Sequence, residues 1–194
     1  ATEEEQTAAV QWLRERIYPL IVDCQRGDAA AARTILAKAD ANLEAMLEVR
    51  EIMHPREGDT AFLCACEAGS AECVSLMIDA GCDVTAKNDQ NASALTKAVT
   101  SEDAATVRAV LDVFASRNVD LETRESEGGR TAFVIACQLG NVEMISLLSA
   151  AGCVSNAEAD NGRNALIYAI NSGNASAVRA VLDLGGFDLE RSFA

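Results

Sequence analysis

The 194-residue sequence predicts an all-α solenoid of about five helix-turn-helix units with short hairpin loops between them and a capping helix in front. Three observations predict it. A small polar residue followed by alanine and an apolar residue recurs at Thr60, Ser93, Thr131 and Asn164, spaced 33, 38 and 33 residues apart. Nine positions after each anchor stands Gly69, Glu102, Gly140 or Gly173, and a further glycine, Gly81, Gly152 or Gly185, closes three of the units. A period of thirty-odd residues is the mark of a repeat array.

Each unit is a pair of helices. In the second, Phe62-Leu63-Cys64-Ala65-Cys66 leads to Glu67-Ala68-Gly69, and a second apolar run through Val74, Leu76, Met77 and Ile78 ends at Gly81. The turn glycines and the closing glycines are expected to end their helices in the left-handed conformation that other residues adopt at a cost. Helices of about two turns do not persist alone in water, because nucleation is costly and few hydrogen bonds follow it. They have to stack on neighbours. A degenerate first unit begins at Tyr18-Pro19-Leu20-Ile21, with Gly27 nine residues on and Pro19 expected to open its helix. The units fall near 18–40, 58–88, 91–125, 129–160 and 162–191.

Departures from the period locate additions. Nine extra residues separate units one and two, and Leu43, Met46, Leu47 and Met53 stand at helical spacing before His54-Pro55, predicting an inserted helix near 42–53. The third unit has Phe114 where glycine is expected, so its second helix should run on through Ala115-Ser116-Arg117-Asn118. A one-residue surplus near Gly128-Gly129 completes the 38-residue interval. Residues 1–17 read as the N-terminal capping helix, with a capping box from Thr2 to Glu5 and Val10, Leu13 and Ile17 on one face. The second helix of the fifth unit, with Ala177, Val178, Ala180, Val181 and Leu182, reads as an internal helix rather than the polar cap a solenoid end needs. Three readings are open: Phe187 and Phe193 fold back over it, the array belongs to a longer polypeptide, or the end is a tolerated imperfect cap.

The stretches Gly81-Cys82-Asp83-Val84-Thr85-Ala86-Lys87-Asn88-Asp89-Gln90-Asn91-Ala92-Ser93-Ala94-Leu95 and Gly152-Cys153-Val154-Ser155-Asn156-Ala157-Glu158-Ala159-Asp160-Asn161-Gly162-Arg163-Asn164-Ala165-Leu166 resemble the ankyrin-repeat junction, in which a helix-ending glycine leads to a projecting hairpin. The resemblance covers residues 18–191 and is closer in spacing than in residues. Where the family has proline this chain has Ala61, Ala94, Ala132 and Ala165; where it has histidine there are Leu63, Thr96, Val134 and Ile167. The histidine's bonds between repeats are therefore missing, and packing is expected to lean on apolar contact. The resemblance implies a protein or peptide partner, or other domains of the same polypeptide, held in a concave groove. Its candidate contacts are the hairpin tips, Arg56, Glu57, Asp59, Asp89, Gln90, Glu127, Arg130, Asp160, Asn161 and Arg163. The ends of the first helices add Gln25, Arg26, Glu67, Thr100, Gln138, Leu139 and Asn171.

Composition narrows the function classes. A formal charge of −14 disfavours nucleic acid, whose phosphates require clustered Lys and Arg. No run approaches the ~20 apolar residues of a membrane span, so no membrane insertion of this segment is expected. The signs nearly balance near the hairpin tips, so the acidity reads as a solubility feature. Of the seven cysteines, Cys24, Cys66 and Cys137 share one repeat position and Cys82 and Cys153 another, the spacing of small core residues rather than of metal ligands. An odd number of such thiols fits a reducing intracellular compartment, cytoplasmic or nuclear. One histidine, His54, supports no nucleophile-base pair, and the glycines form no phosphate loop. Neither catalysis nor a cofactor is expected.

Overall fold

The computed structural model describes residue 15 and residues 18–38 and 58–185. The capping helix of 1–17, the inserted helix of 42–53 and the aromatic residues Phe187 and Phe193 lie outside these, apart from Glu15, which is helical. The described chain forms helix pairs in order: α1 (18–25) with α2 (Ala29–Ala37), α3 (Ala61–Glu67) with α4 (Ala71–Asp79), α5 (Ala94–Thr100) with α6 (Ala104–Arg117), α7 (Ala132–Leu139) with α8 (Val142–Ala150), and α9 (Ala165–Asn171) with α10 (Ala175–Leu184). Tyr18 is already helical, so Pro19 is not the first residue of α1 as expected.

The anchors are helix N-caps. The side-chain oxygens of Thr60, Ser93, Thr131 and Asn164 accept from the backbone N–H of Leu63, Thr96, Val134 and Ile167 at 3.1–3.4 Å. Asp28, Ser70, Asp103, Asn141 and Asn174 do the same for the second helices. Each cap satisfies an N–H that the helix cannot, which stabilises it by about 1 kcal/mol. Small caps and the alanine after them suit a crowded stack: Ala61, Ala94, Ala132 and Ala165 are all at most 1% exposed.

The turn inside each pair is left-handed at Gly27, Gly69, Gly140 and Gly173, with φ between 67° and 73°, and at Glu102, with φ 58°. Gly81 and Gly152 close α4 and α8 with φ 85° and 92°, and the following N–H reaches back to Met77 and Leu148. Gly185 differs from expectation. Its φ of 72° pairs with ψ of −173°, an extended region open essentially to glycine alone, so it redirects the chain rather than closing a left-handed cap. The helix α6 runs 14 residues against nine for α4 and α8, and Asn118, at φ 53° and ψ 47°, supplies its left-handed end.

First helices α3, α5, α7 and α9 stack in one row and second helices α2, α4, α6, α8 and α10 in another. Between the rows Phe62, Leu63, Met77, Leu95, Phe114, Phe133, Met144 and Leu166 are under 2% exposed. Leu63 and Val134 are buried, and the Thr96 hydroxyl donates only to Ser93 O of its own helix at 2.8 Å. Polar links across unit boundaries arise elsewhere. Asn174 Nδ2 donates to Gly140 O at 2.8 Å, Asn141 Nδ2 to Glu102 Oε2 at 3.1 Å, and Ser126 N to Gln90 O at 2.7 Å.

The junctions are hairpins closed by single bridges, Lys87 to Ser93 and Glu158 to Asn164. The surplus residue of the third interval lies in the turn 126–129. Gly128 and Gly129 both have positive φ, and a Cβ on Gly129 would collide with the Asp160 carboxylate. The extra residue is accommodated because glycine lets the next hairpin close over it.

Candidate functional site

The candidate residues gather where the hairpins pass the ends of the first helices. Arg130, directly before the cap of α7, donates from Nη1 to Gln138 Oε1 at 3.0 Å and from Nη2 to Glu125 Oε2 at 2.9 Å. Asn161 Nδ2 is 3.1 Å from the Tyr168 hydroxyl on α9. Glu67 Oε2 lies 3.6 Å from Lys97 Nζ on α5. The tip candidate Arg130 is thus joined to the helix candidate Gln138, while Asn161 and Glu67 meet Tyr168 and Lys97, two residues outside the candidate set.

The others are placed less uniformly. Arg26, Asp89, Thr100, Glu127, Gln138, Leu139, Asp160, Asn161, Arg163 and Asn171 are exposed, Leu139 at 42%. Gln25, Glu67, Gln90 and Arg130 are half-buried. Asp160 is engaged by Arg124 at 3.0 Å, and Thr100 Oγ1 donates to Lys97 O at 2.7 Å. Asp59 departs from its reading as a tip contact: it is 1% exposed, and its carboxylate pairs with Lys97 at 2.9 Å. It positions Lys97 instead of meeting solvent. Arg56 and Glu57 lie outside the described residues.

Sequence reasoning missed Lys97 and Tyr168. Both stand four residues after an anchor, a position that Cys64 and Ile135 fill in the other units with buried side chains, so the position read as core throughout. All seven cysteines are buried and none is in a disulfide. Burial pushes the thiols of Cys82, Cys137 and Cys153 up to about 12, and that of Cys66 well above its ordinary value. They pack as small hydrophobes and are not thiolates near neutral pH. Among the described residues no group of His, Cys, Asp and Glu could hold a metal ion, and no described helix is long and apolar enough to cross a membrane.

Capped helix pairs stacked in two rows, with a hairpin at each junction, define a helical repeat protein of the interaction type. A model of ankyrin repeats in three copies matches residues 20–123 and again 113–192. The chain belongs to the ankyrin repeat family. Ankyrin repeats are in general protein-protein interaction modules and are typically non-catalytic.

Proposed function

We propose that the chain holds a protein or peptide partner, without a cofactor, across the face formed by the hairpins and the ends of the first helices. The observation that carries this reading is the bonding of Arg130 to Gln138 and of Asn161 to Tyr168. These side chains are fixed before any partner arrives, so little ordering entropy is lost on binding. Capture of the partner from native cells and rebinding of the purified pair tests it. Joint alanine substitution of Glu67, Arg130 and Gln138 should weaken binding at least tenfold while helical circular dichroism is kept. Unchanged affinity would remove this face from consideration.

A second reading, in which the partner is another part of the same polypeptide, is favoured by the outer face of the fifth unit. Six residues after the anchor, Cys24, Cys66, Val99 and Cys137 are 0% exposed, whereas Ile170 is 41% exposed, and Leu182 on the second helix of the same unit is 44% exposed. An appended domain in the full-length transcript, with Ile170 protected in the longer protein, would favour this reading. An Ile170 equally open in the full-length protein would reject it.

A further inference from the structure

The long α6 makes a second site that the interaction face does not use. Its added turn overhangs a cleft of about 300 Å³ lined by Val84, Lys87, Phe114, Arg117, Val119 and Thr123. None of the candidate contacts on the first-helix face lines it. Arg117 is there only because α6 continues past Phe114, the point at which glycine ends the corresponding helices in the second and fourth units.

The cleft carries more positive than negative side chains in an acidic chain. Five cations elsewhere are engaged, Arg33 with Glu72, Lys97 with Asp59, Arg108 with Glu143, Arg124 with Asp160 and Arg130 with Glu125, whereas Arg26, Lys38, Arg163 and Arg179 stand outside any salt bridge among the described residues. Among the described residues Lys87 and Arg117 have no carboxylate at salt-bridge distance. Arg117 reaches only the Cys82 carbonyl, at 3.5 Å, so most of its five donors stay uncommitted. Asp120 also lines the cleft, and its carboxylate accepts from Glu122 N at 2.9 Å. The Thr85 hydroxyl donates to Asp83, and the Ser93 hydroxyl caps α5. That leaves the hydroxyl of Thr123, a residue 7% exposed, with no partner among the described residues.

Two cations against one carboxylate give the cleft a single surplus positive charge, beside the Thr123 hydroxyl and an apolar floor of Val84, Phe114 and Val119. A doubly charged phosphate exceeds that surplus, and a neutral apolar body leaves both cations unmatched. We propose that the cleft binds an apolar monocarboxylate, its charge between Lys87 and Arg117 and its body on Val84, Phe114 and Val119. The volume is at the lower limit of ligand sites and suits a body of about one or two side chains. A peptide C-terminus and a free short-chain fatty acid share this chemistry.

Amide-detected NMR titration tests it with three probes: N-acetyl-valyl-leucine as the free acid, the same dipeptide as its amide, and hexanoate. The acids should produce saturable shifts in residues 84–87 and 117–123, and the amide, which brings no charge for Lys87 and Arg117 to meet, should bind at least tenfold more weakly. Lys87→Gln with Arg117→Gln should weaken the acids at least tenfold, and Arg179→Gln, on α10 and outside the cleft lining, should leave them unchanged. Tighter binding of the dipeptide acid assigns a peptide C-terminus as the source, and tighter hexanoate a free acid. Equal binding of acid and amide, shifts that survive the double substitution, or no saturation by either acid would overturn the proposal. The amide control does not depend on any variant folding.

Discussion

Lys97 of the third unit places its ammonium 2.9 Å from the carboxylate of Asp59 in the second, joining the two units through a pair whose side chains are 13% and 1% exposed. The other carboxylate oxygen of Asp59 has no partner among the described residues, so Lys97 is what compensates this buried charge. Removing one member of such a pair is far worse than removing both. Lys97→Met should destabilise the protein by about 3–5 kcal/mol, and adding Asp59→Leu should recover most of that loss. Urea unfolding of the two single variants and the double variant measures the coupling.

Gly140 should be much less replaceable than Gly173, although their φ angles are 67° and 73°. A Cβ on Gly140 would lie 2.7 Å from Ser172 Oγ and 3.1 Å from Asn174 Cβ, both in the next unit, whereas a Cβ on Gly173 meets nothing within 4 Å. Gly69 has the same relation to Ser101 and Asp103, and Gly27 to Ser70. The recurring glycine therefore serves both the left-handed turn and the approach of the following unit. Gly173→Ala should cost about 1–2 kcal/mol, the conformational penalty alone. Gly140→Ala should exceed it measurably in the same thermal unfolding assay, and equal losses would show that the contact between units contributes nothing.

Glu102 occupies that turn position without being glycine. It bears φ 58° and accepts from Asn141 Nδ2 of the next cap at 3.1 Å, so conformational strain is offset by a bond across the boundary. Glu102→Gly relieves the first and removes the second, and its unfolding midpoint should stay close to that of the parent. Glu102→Ala keeps the strain and loses the bond, and should be the less stable of the two.

The buried thiols predict a loss of stability in alkali. Cys82, Cys137 and Cys153 are pushed up to about 12 from an ordinary 9.0. Their raised folded values mean that the stabilisation is fully present below pH 9. As pH rises from there, unfolded thiols ionise while folded ones keep their protons, and each removes up to about 1.4 kcal/mol per pH unit until pH reaches about 12. Cys137→Ala should reduce the slope of stability against pH between 9 and 12 by one thiol's share. An unchanged slope would show that Cys137 ionises as freely in the fold as outside it.

The repeat was legible because its anchors and turns are local chemistry. Thr60, Ser93, Thr131 and Asn164 cap helices through their own side chains, and Gly69, Gly140 and Gly173 satisfy a φ requirement that a sequence displays directly. The long α6 was legible for the same reason, as a missing glycine. Its cap, Asn118, was not singled out, because asparagine tolerates the left-handed region but also occurs widely outside it. Asp59 read as a tip residue because nothing near it in sequence reveals Lys97, 38 positions away, as its partner. Lys97 and Tyr168 were passed over as members of apolar runs. Which side of a first helix faces the hairpins depends on how units stack, and that is settled only in three dimensions.

Hydrogen exchange of the purified complex with its partner is the most direct measurement of where recognition occurs. The account predicts that binding slows exchange in 97–101, 125–131, 136–140 and 158–172, on the hairpins and first-helix ends. Slowing confined to the second helices, 104–117 and 142–150, would contradict it.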